Sequence, residues 1–71
     1  MKEAIHELDV VAILRSHPER GLVAGQVGTV VETLAEDHFE VEFSGDDGRA
    51  YAMAALPARD LIVLHYAPVM A

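Results

Sequence analysis

Four histidines, His6, His17, His38 and His65, are the side chains of this chain best suited to hold a metal or move a proton. Their spacings of 11, 21 and 27 residues match no compact zinc pattern such as H-E-x-x-H. Surface histidines are therefore expected, with no metal and no cofactor. Nucleophilic chemistry fares no better, because the chain has no cysteine and neither Ser16 nor Ser44 lies in a G-x-S-x-G elbow. Ser16 precedes His17, but neighbours in an extended chain point apart, and a loop gives them no fixed geometry. The carboxylate pairs Glu36 with Asp37 and Asp46 with Asp47 fall among turn-forming residues, where solvated acids are the rule. No catalytic residue is assigned, and the expectation is a protein that is not an enzyme.

Charge points the same way. Five Lys and Arg against twelve Asp and Glu give a net charge of −7. Phosphate backbones and anionic membrane surfaces draw their affinity from basic side chains, so both are disfavoured partners. Arg15, Arg20, Arg49 and Arg59 are outnumbered by acids, and Phe39 and Phe43 are assigned to a core rather than to base stacking. The apolar runs are too short to span a bilayer, and MKEAIHELD carries acids where a signal peptide needs an unbroken apolar segment. With no cysteine to form a disulfide, a cytoplasmic location is expected.

The elements that would carry these residues read as strands. Seventy-one residues make one domain, 1–71, with an ordered core over about 8–66. Much of its 52% hydrophobic content is alanine, so either the core is thin or a partner covers part of it. Residues Met1 to Leu8 fit one helical turn or an extended lead-in equally well. Val10 to Leu14 is a continuous apolar run of strand length, expected to be covered on both faces or folded sharply across the barrel. A long loop follows from Arg15 to Gly25, with Leu22 and Val23 expected to tuck it onto the fold. Val27 to Leu34 is rich in β-branched residues and reads as the second strand; Gly28 within it marks a corner or a crossing backbone.

After a short polar turn at residues 35–37, Phe39, Val41 and Phe43 alternate with Glu40 and Glu42, which places the acids on the solvent face of a third strand. Asp47 and Gly48 are a hairpin signal. A fourth strand over Arg49 to Leu56 sets Tyr51 and Met53 opposite small alanines. Pro57 stops it, Ala58 to Asp60 form a tight helical turn, and Leu61 to Tyr66 make the fifth strand. The fold class is all-β, a small five-stranded antiparallel barrel, because closure is the simplest way for so short a sheet to remove its edges.

The run Asp9-Val10-Val11, then Gly21-Leu22, Gly25 and Val27-Gly28-Thr29-Val30-Val31, then Val41-Glu42-Phe43, resembles a family of short uncharacterised bacterial proteins with an SH3-like barrel. The segment Gly25 to Val30 is more distantly similar to the SH3-like domain of the nitrile hydratase beta subunit and to KOW modules. The resemblance implies an SH3-like barrel and an accessory or subunit-docking role. A KOW-like nucleic-acid module and a subunit or activator of a metalloenzyme are the alternatives it implies.

Protein binding is the function class that remains. The expected partner is another protein with a basic surface, met by Glu40, Glu42, Asp46 and Asp47 and by the long loop with Arg15, His17 and Arg20. Leu22, Tyr51 and Tyr66 would supply contact area if exposed, and would otherwise be core. An accessory, inhibitor or immunity-type partner of a protein encoded nearby fits this reading.

Overall fold

Five antiparallel strands form one sheet in the computed structural model, which describes residues 4–68. They are β1 (Val10–Ile13), β2 (Val27–Ala35), β3 (His38–Ser44), β4 (Ala50–Pro57) and β5 (Leu61–Val63), in the spatial order β4-β3-β2-β1-β5. Consecutive elements thus pair in a meander from β1 to β4, and the chain then passes from one edge of the sheet to the other.

That passage forces the sheet to curl. The last residue of β4, Pro57, and the first of β5, Leu61, are joined only by a 3-10 turn, Ala58–Asp60. A turn of this kind advances roughly 8 Å over those four steps. Five flat strands would hold the edges about 19 Å apart. The sheet therefore bends into a barrel. Register shifts in β2 between Val30 and Glu32 and between Thr33 and Ala35, and one between Phe43 and Ser44 against β4, supply the bending.

The core follows from period-2 geometry. Val11 and Ile13 of β1, Val30 of β2, Phe39, Val41 and Phe43 of β3, Ala54 and Leu56 of β4 and Leu61 of β5 all point inward and are buried. Gly28 joins them because the barrel is narrow there: a Cβ at this position would lie 2.9 Å from the Glu42 carbonyl oxygen and 2.7 Å from Val41 Cγ1. It is thus the close approach of backbone that a glycine within a strand implies, while the bends of β2 lie further along, at its register shifts.

Several boundaries differ from the sequence reading. β1 stops at Ile13, and its outward residues Val10 and Ala12 are half-buried rather than covered. β5 ends at Val63, although Leu64 N still donates to Val10 O at 2.9 Å. No helical turn forms over residues 4–8, and Met1 to Glu3 lie outside the described residues. Instead, a turn closed by Asp9 N to His6 O (3.1 Å) and His6 N to Asp9 Oδ2 (2.8 Å) holds Leu8 at a φ of +74°, a rare conformation for a branched side chain.

The long loop folds back on itself as a bridge in which His17 N donates to Leu22 O at 2.8 Å and Leu22 N to His17 O at 3.1 Å. Between them lies a 3-10 turn, Pro18–Arg20, closed by Gly21 in the left-handed region at φ +70°. Leu22 anchors the loop in the core, but Val23 points outward.

Candidate functional site

Two groups of charged side chains stand out. The first is centred on Asp60, the one buried charged residue among those described, at 4% exposure. The 3-10 turn after β4 presents its carboxylate to the long loop: Oδ1 lies 3.3 Å from Arg15 Nε and Oδ2 lies 3.5 Å from His17 Nε2. His17 also places Nδ1 3.8 Å from Glu19 Oε2. Its side chain is only 17% exposed, so His17 is not the surface histidine that the sequence suggested. Leu14 N donates to the Asp60 carbonyl at 2.7 Å, which ties the same two segments through backbone. Ser16, beside His17, accepts a hydrogen bond from Ala24 N at 2.9 Å and so braces the loop. These groups clamp a loop; no nucleophile and base meet in them.

The second group is on the outer face of the sheet. Glu40 and Glu42 both project there from β3, half-buried by their neighbours rather than fully solvated. Glu32 of β2 is the direct cross-strand partner of Glu40. Strict alternation from the buried Val30 would send Glu32 inward, but the bulge at Val31 changes the phase and turns it outward. Three carboxylates therefore share one face, and among the described residues none of them has an ion-pair partner. Met53 and Ala55 of β4 border this group, paired with Glu42 and Glu40. On the other side, the apolar row Val27, Ala12 and Ile62 crosses β2, β1 and β5.

Like charges placed directly opposite across two strands are destabilising by a few tenths to about 1 kcal/mol. Glu32→Lys converts the repulsion into an attraction. It should raise the melting temperature by roughly 3–8 °C for a domain of this size. Thermal denaturation at low and high salt checks this, because the gain should shrink as salt screens the pair.

The remaining residues singled out from the sequence are dispersed. Leu22 is fully buried and supplies no contact surface, because it is the side chain that pins the loop. Tyr66, at 83% exposure, is free to make contacts. Tyr51 is half-exposed, with its ring centroid 6.4 Å from that of Phe43 and its hydroxyl oxygen accepting a hydrogen bond from Gln26 Nε2 at 2.8 Å. Arg20 reaches across to β4, where Nη1 donates to Ala55 O at 3.5 Å. Asp47 caps its own turn, accepting from Arg49 N at 3.0 Å, and Asp46 is solvated beside it.

Sequence reasoning missed Asp60 and Glu32. Nothing local marks either: Asp60 reads as one polar residue of a tight turn, and the outward phase of Glu32 depends on a bulge. Among the described residues no group of three His, Asp or Glu side chains is arranged to hold a metal ion, and no cavity opens into the barrel.

A family model described as a domain of unknown function, DUF4926, matches residues 7–63, from the turn before β1 to the end of β5. No curated protein and no solved structure matches the chain. The chain, a small all-β domain, belongs to the DUF4926 family.

Proposed function

We propose that this protein is a non-catalytic protein-interaction module, an accessory, inhibitor or immunity-type partner of another protein, and that it docks through the outer face of β3 and β4. The observation that carries the reading is the column of Glu32, Glu40 and Glu42, unpaired by any described cation and bordered by the half-exposed Met53. Acids left without internal partners on a sheet face keep an electrostatic field that a basic surface can neutralise. Apolar side chains at their margin supply desolvation energy that the charges do not. The fitting partner is a protein whose contact surface alternates lysine or arginine with apolar residues.

Charge reversal on this face is the direct test. Tagged protein is used to capture partners from its native lysate at moderate salt, beside Glu40→Lys/Glu42→Lys, and the eluates are read by mass spectrometry. One protein should co-purify stoichiometrically with the wild type, and the double variant should lose it. Retention of nothing, or of nucleic acid by both versions, rejects the reading.

A further inference from the structure

The two edges of the curled sheet are unequal. β5 is three residues long, and shortness is itself a protection against unwanted pairing. β4 is eight residues long, and it pairs only with β3.

The hydrogen bonds of β4 alternate in a fixed phase. Ala58 N donates to Asp37 O, so that pair is bonded across the ladder. Antiparallel pairs alternate, so the next pair, Pro57 with His38, is not bonded; proline, with no N–H, fits there. Counting on, Ala55 with Glu40 and Met53 with Glu42 are also non-bonded pairs. The N–H and C=O groups of Met53 and Ala55 therefore point away from β3, out of the sheet. Among the described residues, one group covers this edge: the Arg20 guanidinium on the Ala55 carbonyl, at the 3.5 Å limit of a hydrogen bond. Gln26 reaches the Tyr51 hydroxyl and leaves the backbone open. The edge has no lysine, inward charge or mid-strand proline, and its bulge lies at Tyr51, short of Met53 and Ala55.

We infer that the free edge of β4 at Met53 and Ala55 is a strand-addition site for an extended segment of a partner protein that carries lysine or arginine at alternate positions. The inference rests on the interaction reading above and names how the partner engages that face. A strand added here would take the open backbone groups and displace Arg20 from Ala55 O. Its outward side chains would lie two strand spacings, about 10 Å, from β3. Ala55 is only a methyl group between that strand and Glu40, so a long cationic side chain can lie over it and meet the carboxylate. Met53 offers the same strand an apolar neighbour. A second copy of this chain is the poorer occupant, because each copy carries a net charge of −7.

The probe is a blocked peptide of alternating lysine and valine, titrated into isotope-labelled protein while amide hydrogen exchange is followed. At a peptide concentration ten times its Kd, exchange at Met53 and Ala55 should slow by roughly 10-fold. A fully N-methylated peptide of the same charge, which cannot donate to a strand, should leave both amides unchanged. If both peptides bind equally and neither protects those amides, the edge inference is overturned while the acidic docking face stands. No binding by either peptide also overturns the edge inference; the lysate capture decides the broader reading independently. Protection that grows with protein concentration alone would show the edge to be self-pairing and would likewise overturn it.

Discussion

Gly28→Ala should cost about 3 kcal/mol, the upper end of the range for overpacking a core. The magnitude follows from what the new methyl meets. The Glu42 carbonyl at 2.9 Å belongs to the backbone of β3 and cannot swing aside. Val41 Cγ1 at 2.7 Å and Phe43 Cδ1 at 2.9 Å are themselves fully buried, so their rotamers have nowhere to move. β2 would have to part from β3, and the loss would take most of the 3–5 kcal/mol that a single core of this size supplies. Thermal denaturation should show a fall of roughly 12–24 °C. Gly45→Ala is the matched control: its Cβ would meet only the Asp47 carboxylate at 3.4 Å, and its melting temperature should stay close to that of the wild type. A shift below about 3 °C for Gly28→Ala would mean that β2 and β3 are not in close contact there.

Asp60→Ala should also destabilise the fold. A buried carboxylate carries a desolvation cost, and replacing a whole buried ion pair with apolar groups can be neutral. Here only one partner is removed. Arg15 is well exposed and returns to water, which limits the loss, but His17 Nε2 is buried, makes no hydrogen bond, and would lose the Asp60 carboxylate that lies 3.5 Å away. A cost of roughly 1–3 kcal/mol is expected, with Asp60→Asn in between because it keeps the shape and loses the charge. The loss should be local in its dynamics: amides of residues 14–26 should exchange faster while those of β3 change only with global stability. A double-mutant cycle between Asp60→Ala and Arg15→Ala should give a coupling of about 0.5 kcal/mol or more. Zero coupling, with the loop unchanged, would show that the clamp does not hold it.

Both effects sit where the local pattern is silent, and this divides what was legible from what was not. The alternation of Phe39, Val41 and Phe43 with Glu40 and Glu42 was readable because a strand side chain's direction depends only on its own parity. Asp47-Gly48, Pro57 and Gly21 were readable because each fixes a turn by its own backbone preference. From such signals the all-β class, the strand count and the 3-10 turn at Ala58 to Asp60 follow.

The same signals could not show that Val31 bulges and so sends Glu32 to the face of Glu40, because a bulge is settled by how two strands meet. Nor could they show that His17 is buried against Asp60, a residue forty-three positions away in the chain. Leu22 and Tyr51 were both assigned as either core or contact surface, and only the curling of the sheet put one inside and left the other half outside. The sequence by itself determined which segments are strands and which side chains alternate, since those depend on neighbours along the chain. The tertiary structure decided which carboxylates share a face, which one is buried and which edge stays open, since those depend on contacts between segments distant in sequence.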